Sequence, residues 1–419
     1  MRKTHVFMTL VGTMVLLCGP WLSASSVSVG SCLPGMTHFA TIQAAINASP
    51  QGGTVLVCPG VYPEQIAIFH PITIKGVDNN GSNLALITMP PGGTGAQIYV
   101  QATGVNLSDL TIDGSNNGAT GCGQGPIGIY YWDSSGVINH VAIRNEVPTG
   151  QPSCFDGDGV FVVAPTGGAS TVTIENSSIH SFQFTGIEAR GKNANVTVKG
   201  NSIGGNTTGP AGNGVAVWLG ASGTVSGNSI INVLEPTSYT YSGFYGAGWG
   251  VVVLCSQGVT VTGNTIGDTQ AGVVVLSTGS NCAAYGTGNG DSNTIIGNNI
   301  SQTHLFDGVY VCGNYNLVKS NVINGASEAG VNIDGQCNPG GSGYFNNVNL
   351  DTVDDACATS LVDPSVAGFN TVGSNKAYSV SYDALSGLIP LTAGTCNNAP
   401  AAPTGSGTVM PRTGPPKPV

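Results

Sequence analysis

The chain has 419 residues, of which 64 are glycine and only 8% are charged. Its 21 Asp and Glu residues outnumber its 11 Lys and Arg residues, so the net charge is −10 at pH 7. This charge argues against nucleic acid and anionic membranes as partners, because both are bound through clustered basic side chains.

Residues 1–25 have the pattern of a secretory signal peptide. Arg2 and Lys3 precede an apolar run, Val6–Leu17, and Ser23-Ala24-Ser25 offers a small-residue cleavage site. The run is too short to span a bilayer, and no other apolar segment is long enough to do so. We therefore expect a protein that is secreted, periplasmic or at the cell surface.

Cysteine usage also points to an oxidising compartment. Cys18 lies in the signal, and removing it from the 11 cysteines leaves ten, an even set typical of disulfide-bonded exported proteins. The spacing favours five local pairs, which are Cys32–Cys58, Cys122–Cys154, Cys255–Cys282, Cys312–Cys337 and Cys357–Cys396. The alternative is that several of these cysteines are buried free thiols.

A short helix is predicted near the start of the mature chain. Apolar residues recur at helical spacing within Phe39–Ala48, and Pro50-Gln51-Gly52-Gly53 ends the pattern. Because a stack of β-strands exposes an unpaired edge, this helix is the natural cap for the strands that begin at Thr54–Val57.

The middle of the chain repeats one unit, seen most cleanly in Gly258–Leu276 (GVTVTGNTIGDTQAGVVVL). Two short β-branched runs meet at Gly263-Asn264, and a Gly-Val pair opens a third run, here called the GV strand. The second residue of this pair is Ile129, Val160, Ile187, Val215, Val251, Val273, Val309 and Val331. The intervals are 31, 27, 28, 36, 22, 36 and 22 residues, so a 22-residue unit carries loop insertions. Such a period predicts a solenoid.

The first coils resemble a known superfamily. The order TIQAAIN, GGTVLVCPGVYPE and ITIKG, between Thr41 and Gly76, is similar to the start of the pectin-lyase-like proteins, which are right-handed parallel β-helices. The resemblance implies an all-β fold with three short parallel strands per coil and about 10–12 coils. We place this domain at residues 26–396 and a disordered Pro/Gly-rich tail at residues 397–419. The superfamily contains lyases, hydrolases, esterases, epimerases and non-enzymes, so it implies no single activity.

The resemblance also assigns asparagines to a tight turn within each coil. The turn residues would be Asn145, Asn176, Asn201, Asn228, Asn264, Asn298 and Asn321. Asparagine tolerates the left-handed backbone that such a corner needs, and stacked amides bond along the axis.

The outer face of the GV strands is the expected binding surface. Alternation along each strand gives two outward columns, which are Tyr130, Phe161, Glu188, Ala216, Val252, Val274, Tyr310 and Asn332, and Trp132, Val163, Arg190, Trp218, Leu254, Leu276, Cys312 and Asp334. This apolar face predicts an open groove for sugar rings, walled by the aromatic insertion 238–249. Substrate-binding residues would be Tyr130, Trp132, Trp218, Trp249 and Tyr310. The alternative is that loops or a second copy of the chain cover the face.

The first catalytic hypothesis places Glu188, Arg190 and Lys192 in this groove. Glu188 and Arg190 are two residues apart on one face, at about 6.6–7 Å, and Trp218 one coil on could stack on Arg190. A carboxylate and a cation in an apolar groove suit acid/base catalysis. The alternative is an ordinary ion pair.

The second catalytic hypothesis rests on a further resemblance. Asn332-Ile333-Asp334-Gly335, followed by Asp354 and Asp355, is similar to the acidic motifs of polygalacturonase-type glycosidases. It implies that Asp334 and one of the two later aspartates act as acid and base. The histidine and Arg-x-Lys motifs of that family are absent.

The other acidic residues have simpler expectations. Asp158 and Asp307, each before the glycine of a GV strand, should hydrogen-bond turn backbone. We predict no cofactor or metal, although Asp156-Gly157-Asp158-Gly159 could take part in binding Ca²⁺.

The sequence thus predicts an exported β-helix protein that engages a polysaccharide over its GV strands. In the enzyme hypothesis it also cleaves the polymer, as a lyase or a glycoside hydrolase. The alternatives are a non-catalytic carbohydrate-binding or surface-interaction protein and a purely structural solenoid.

Overall fold

The computed structural model describes residues 26–77, 84–121, 123–149, 156–206, 211–234, 248–277, 282, 291–304, 306–334, 343–354, 358–362, 369–378 and 389–390. Within these ranges the chain forms a β-helix of three parallel sheets, and successive strands visit sheets 1, 2 and 3 in turn. Sheets 2 and 3 have 12 strands each, which confirms the expected coil number. Nowhere in these ranges is a helix both long and apolar enough to cross a membrane.

The strand bounds define the three sheets. Sheet 1 contains Ser26–Val29, His38–Phe39, Gly53–Val57, Ile72–Gly76, Val105–Ser108, Ser135–Asn139, Ser170–Glu175, Ala194–Lys199, Ser222–Ser226, Thr260–Thr262, Thr294–Ile296, Leu317–Lys319, Asn347–Asn349 and Thr371–Gly373. Sheet 2 contains Gly60–Pro63, Ala85–Thr88, Leu110–Asp113, Ala142–Arg144, Ser178–Phe182, Ser202–Gly205, Ser229–Val233, Thr265–Thr269, Asn299–Thr303, Val322–Ala326, Thr352–Asp354 and Lys376–Tyr378. Sheet 3, which holds the GV strands, contains Ile66–Ile68, Ala96–Val100, Ile127–Trp132, Asp158–Val163, Thr185–Arg190, Asn213–Trp218, Trp249–Leu254, Ala271–Leu276, Val309–Cys312, Ala329–Ile333, Ala358–Val362 and Ile389–Pro390.

The predicted cap is present as helix α1 (Ile42–Ala48), which begins three residues later than the pattern suggested. Its buried residues Ile42, Ala45 and Ile46 join the core. The Thr41 side chain accepts from the backbone N–H of Ala44, and the Glu64 carboxylate accepts from the first two helical N–H groups at 2.9 and 3.1 Å. An acceptor at this end satisfies donors that have no partner within the helix.

The glycine of each GV strand has a steric cause. A Cβ added at Gly272 would lie 2.4 Å from the carbonyl oxygen of Gly308 and 2.5 Å from Cγ2 of Ile300. The same pair of contacts, a carbonyl of the next coil and an isoleucine of sheet 2, surrounds Gly128, Gly159, Gly186, Gly214, Gly250 and Gly308. Strands of sheet 3 therefore start so close to sheet 2 that no side chain fits there.

An asparagine ladder fixes the corner between sheets 1 and 2, as predicted for Asn264. The Nδ2 of Asn264 donates to Oδ1 of Asn298 and to the carbonyl of Val225, both at 2.9 Å. Its Oδ1 accepts from the backbone N–H and from Nδ2 of Asn228, again at 2.9 Å. The ladder runs through Asn201, Asn228, Asn264, Asn298 and Asn321 to Asp351.

Two of the predicted turn asparagines, Asn145 and Asn176, do not belong to this ladder. In addition, the residue with left-handed backbone at each corner is not the ladder asparagine itself. Glycine or another residue before each ladder position takes that conformation, for example Gly263 with φ of 62°. Asn176 (φ 50°) occupies this preceding position, and Ser177 takes the ladder site, where its backbone N–H donates to Oδ1 of Asn201. Asn145 (φ 61°) follows the sheet 2 strand Ala142–Arg144, so it lies at the next corner. The prediction was therefore wrong for Asn145 and Asn176.

A second ladder at the corner between sheets 3 and 1 was not predicted. The Oδ1 atoms of Asn316, Asn346 and Asn370 accept from the backbone N–H of Asn293, Asn316 and Asn346 respectively, at 2.8 Å. These asparagines follow loop insertions of different lengths, so they show no regular spacing in the sequence.

Replacing Asp351 by asparagine is expected to stabilise the protein at neutral pH. Burial raises the pKa of Asp351 to about 6, against hydrogen bonds from Asn321 that lower it. An unfolded aspartate has a pKa of about 3.9. The contribution of Asp351 to stability is therefore fully present below that pH and is lost as the pH rises through about 6. Asp351→Asn removes this loss, worth about 3 kcal/mol at pH 7.

Urea denaturation at several pH values measures this effect. The difference in free energy of unfolding between the variant and the native protein should grow as the pH rises from 4 to 6, because the other titrating groups are common to both. Asn298→Asp is the matched control, because it introduces a carboxyl group into the same ladder and should destabilise at pH 7. Equal stability of Asp351→Asn and the native protein at pH 7 would contradict this account.

Two predicted disulfides, Cys32–Cys58 and Cys255–Cys282, are confirmed. Cys312 is also disulfide-bonded. The remaining predicted partners, Cys122, Cys154, Cys337, Cys357 and Cys396, lie outside the described residues, as do the expected signal (1–25) and tail (397–419).

Candidate active site on the outer face of sheet 3

The outer face of sheet 3 is not the open groove that the sequence predicted. Of the five expected contact residues, Trp218 is 1% exposed, Trp249 2%, Tyr130 3% and Tyr310 6%. Only Trp132 is partly exposed. The expectation of an exposed aromatic platform is therefore wrong for four of the five residues. The aromatic insertion that should wall the groove falls largely outside the described residues.

The N-terminal half of this face is a continuous row of aromatic rings. Tyr130 stacks on Phe161 with ring centroids 4.9 Å apart and meets Tyr99 edge-on at 5.7 Å. The guanidinium of Arg190 lies 5.4 Å from the Phe161 ring and 5.3 Å from the Trp218 ring. Arg190 is thus held between two aromatic faces, as cation–π attraction favours.

The first set of catalytic candidates is only partly brought together. Nη2 of Arg190 lies 2.6 Å from Oε1 of Glu188, which is buried. Lys192 is exposed beyond the end of the strand. Because Glu188 is already paired with a cation that is itself fixed between two rings, this arrangement resembles a structural ion pair more than an acid/base centre.

The middle of the face is apolar. Trp218, Leu254 and Leu276 form one column and Ala216, Val252 and Val274 form the other, and all six are buried. The Cys255–Cys282 disulfide belongs to the same cluster.

Three carboxyl groups meet at the C-terminal end of this apolar face. Asp307 precedes the strand Val309–Cys312, and Glu328 and Asp334 flank the neighbouring strand Ala329–Ile333. Their exposed fractions are only 1% for Asp307, 7% for Glu328 and 5% for Asp334. We call Asp307, Glu328, Asp334, Tyr310 and Asn332 the carboxyl cluster.

Hydrogen bonds hold two of these carboxyl groups. The Tyr310 hydroxyl donates to Oδ2 of Asp334 at 2.6 Å. Asp307 accepts from the backbone N–H of Ala329 at 3.0 Å and from Nδ2 of Asn332 at 3.1 Å. Among the described residues, Oδ1 of the buried Asn332 has no hydrogen-bond partner. The cluster therefore contains one buried acceptor whose hydrogen bond is not made within the described chain.

The carboxyl cluster has unusual proton affinity. Burial, followed by repulsion from Asp334, raises the pKa of Glu328 to about 7. Burial, followed by repulsion from Glu328, raises the pKa of Asp307 well above its usual range. Burial and the Asp334 carboxyl group raise the pKa of the Tyr310 hydroxyl as well. At neutral pH the cluster therefore holds protons that ordinary surface carboxyl groups would have lost.

The sequence identified Asp334 and Tyr310 but missed their partners. Asp307 was expected to bond turn backbone, which it does through Ala329, and Glu328 was not singled out. The available signal was their position just before the glycines of two consecutive GV strands. Neighbouring coils bring such positions together, but the sequence does not show whether a side chain there faces a ligand or only the turn.

The paired aspartates of the second hypothesis do not join Asp334. Asp354 ends a strand of sheet 2, where it is paired in register with Asn324, whereas Asp334 follows a strand of sheet 3. Asp355 lies outside the described residues. The polygalacturonase-like arrangement of Asp334 with Asp354 is therefore wrong, because the two side chains belong to different faces of the helix.

A second acidic group lies near the N-terminal end of sheet 3. Glu146 is fully buried, and burial followed by repulsion from Asp113 and Asp158 raises its pKa well above its usual range. Asp156 accepts from the backbone N–H of Gly123. In the part of the chain that the structure describes, no three His, Cys, Asp or Glu side chains are arranged to hold a metal ion. Ca²⁺ binding by Asp156 and Asp158 stays a prediction.

Comparison with known proteins agrees with the fold. The family described as "Right handed beta helix region" matches residues 127–288. No curated protein matches the chain significantly in sequence. The A-module of the Azotobacter vinelandii mannuronan C-5 epimerase AlgE4 is similar with a TM-score of 0.52 and 14% identity, over 81% of this chain and 91% of that one.

Two further solved structures have the same architecture. The Azotobacter vinelandii mannuronan C-5 epimerase AlgE6 A-module has a TM-score of 0.50 and 17% identity, over 84% of this chain and 95% of its own. The GH136 lacto-N-biosidase from Eubacterium ramulus has a TM-score of 0.59 and 14% identity, over 85% of this chain and 67% of its own. At these identities the likeness shows the fold alone. The chain folds as a parallel β-helix, and the family match over residues 127–288 agrees with a right-handed one.

Proposed function

We propose that this protein is a glycoside hydrolase acting on a polysaccharide, with the carboxyl cluster as its catalytic centre. The observation that carries the proposal is a pair of interacting carboxyl groups in different environments, one at each end of the strand Ala329–Ile333. Glu328 has a pKa of about 7, and Asp334 accepts a hydrogen bond from Tyr310. Glycosidic bonds are typically hydrolysed by two carboxyl groups, one protonated and one ionised.

The two groups take complementary roles in this mechanism. Glu328, protonated near neutral pH, donates its proton to the glycosidic oxygen as the bond to the sugar carbon breaks. Asp334 is the general base and accepts a proton from the attacking water. The oxygen of that water forms the new bond to the same sugar carbon. The Tyr310 hydroxyl donates to Oδ2 of Asp334 and fixes the position of this carboxyl group. The products are a reducing end and a free hydroxyl.

Asp307 and Asn332 are positioning residues in this mechanism. Both oxygens of Asp307 are taken by Ala329 and Asn332. Burial, followed by repulsion from Glu328, raises the pKa of Asp307 and favours its neutral form. Asn332 donates through Nδ2 to Asp307, and its buried Oδ1 is the acceptor that we assign to a substrate hydroxyl.

Glu188, Arg190 and Lys192 have no step in this mechanism. The Glu188–Arg190 pair and the aromatic row instead form the floor of the face, with Trp132 and the other aromatic candidates as proposed contacts for distal sugars. The fold neighbours support a polysaccharide as substrate, since their names describe mannuronan epimerases and a lacto-N-biosidase. The disulfides support a site of action outside the cytoplasm.

A polysaccharide panel tests the proposal. We expect the purified protein to release reducing ends from at least one polymer. Glu328→Gln and Asp334→Asn should each lower the rate by about 10²–10⁴-fold while binding is retained. Glu175→Gln is the matched control, because Glu175 lies on sheet 1, and it should leave the rate unchanged.

Three outcomes contradict the proposal. Release of unsaturated ends would mean elimination rather than hydrolysis. Full activity in both cluster variants would place catalysis elsewhere, with Glu188 as the next candidate. Binding of a glycan without any turnover would leave a carbohydrate-binding protein.

A further inference from the structure

We infer that the glycan bound by the carboxyl cluster is uncharged, and not a polymer of uronic acids. The inference rests on the proposed function and names its substrate class. It follows from the distribution of cations over the helix and from the kind of polar atoms that the cluster presents.

The β-helix has few Lys and Arg residues, and the sheet or turn that holds each of them is known. Of the 11 Lys and Arg residues, Arg2, Lys3, Arg412 and Lys417 belong to the two terminal segments. The other seven are Lys75, Arg144, Arg190, Lys192, Lys199, Lys319 and Lys376, and all lie within the described residues. The undescribed stretches between residues 26 and 390 therefore add no Lys or Arg to the site.

Most of these Lys and Arg residues lie on sheets other than sheet 3, which carries the candidate site. Lys75, Lys199 and Lys319 lie in sheet 1, and Arg144 and Lys376 lie in sheet 2. On sheet 3, the described cations are Arg190 and, just past its strand, Lys192. His304, which precedes the cluster in sequence, lies beside Asp268, with 3.2 Å between Nε2 and Oδ1.

Arg190 cannot serve the carboxyl cluster. Its guanidinium is paired with Glu188 at 2.6 Å. Four strand steps separate Thr185–Arg190 from Val309–Cys312 in sheet 3. At about 4.8 Å per step this is about 19 Å, more than twice the Debye length of about 8 Å in physiological salt. The Lys and Arg side chains of residues 26–390 therefore lie on sheets 1 and 2 or at the distant coil of Arg190 and Lys192.

The polar atoms of the cluster are suited to hydroxyl donors. Asn332 offers an unpaired Oδ1, and no hydrogen bond joins Glu328 to another described residue. A sugar hydroxyl can donate to such acceptors. A uronate carboxylate carries a full negative charge that the Tyr310 hydroxyl and a protonated carboxyl group do not neutralise, and any carboxyl group of the cluster that is ionised would repel it. Recognition of a uronate usually needs a basic side chain, which the cluster lacks in the described chain.

The test compares neutral and uronate polymers at two salt concentrations. The neutral set is xylan, galactan, β-glucan and mannan, and the uronate set is polygalacturonate and polymannuronate. With the full protein, we expect cleavage of a neutral polymer at a rate that changes less than twofold between 20 and 500 mM NaCl, an order-of-magnitude criterion for the absence of charge pairing. Uronate polymers should be cleaved at least about 100-fold more slowly.

The outcomes separate the inference from the proposed function. Cleavage of a uronate polymer that Glu328→Gln abolishes would overturn the inference and leave the hydrolase proposal intact. Preferential cleavage of a cationic glucosamine polymer would also overturn it. If no polymer of either set is bound or cleaved, the proposed function fails, and the inference fails with it.

Discussion

Replacing Gly272 by valine is expected to unfold the protein or to destabilise it by about 4 kcal/mol or more. A Cβ at this position meets a backbone carbonyl at 2.4 Å and Cγ2 of Ile300 at 2.5 Å. Neither can move away, since the carbonyl belongs to the next strand of sheet 3 and the isoleucine to the core. Urea denaturation followed by circular dichroism measures the loss.

Gly373→Ala is the matched control for Gly272→Val. Gly373 likewise belongs to a β-strand, Thr371–Gly373, but an added Cβ there would meet nothing within 4 Å. We expect a change below about 1 kcal/mol there. If Gly272→Val were as mild as Gly373→Ala, the close approach of sheets 2 and 3 would not explain the GV signature.

Replacing Trp218 by alanine is expected to cost about 3–5 kcal/mol of stability. Trp218 is buried, packs edge-on against Phe184 with ring centroids 5.7 Å apart and covers one side of Arg190. Its removal leaves a cavity in the apolar cluster and exposes the buried Glu188–Arg190 pair. Thermal denaturation should show a melting temperature lower by several degrees.

Trp132→Ala provides the comparison for Trp218→Ala. Trp132 is partly exposed and lies in the same outward column, so its loss should lower the melting temperature much less. An unchanged melting temperature in Trp218→Ala, together with weaker glycan binding, would instead support the open groove that the sequence suggested.

The architecture could be predicted because each repeat obeys a local rule. The β-branched runs, the Gly-Val pair and Asn264 are all dictated by backbone and packing constraints that recur in every coil. The same regularity misled the assignment of Asn176 by one residue, because the Ser177 hydroxyl accepts from the backbone N–H of Val141 as a ladder amide oxygen would. Asn145 was misassigned because three corners of a coil share a preference for left-handed residues.

The site was harder to predict than the fold. Alternation along the strand correctly placed Trp218 and Tyr310 on the outer side of sheet 3, but it cannot tell whether that side meets solvent. Whether an outward apolar column is a groove or a second core depends on the chain that folds over it. The partnership of Glu328 with Asp334 arises across the two ends of a single strand, and no local motif marks it.

The pH dependence of glycan cleavage tests the central claim most directly. If Glu328 is the general acid, kcat/KM on the best polymer should fall above about pH 7 as this carboxyl group loses its proton in the free enzyme. The slope should approach tenfold per pH unit, and Glu175→Gln should show the same profile. A value of kcat/KM that stays constant from pH 6 to pH 9, on the order of three pH units across the Glu328 pKa, would contradict the account.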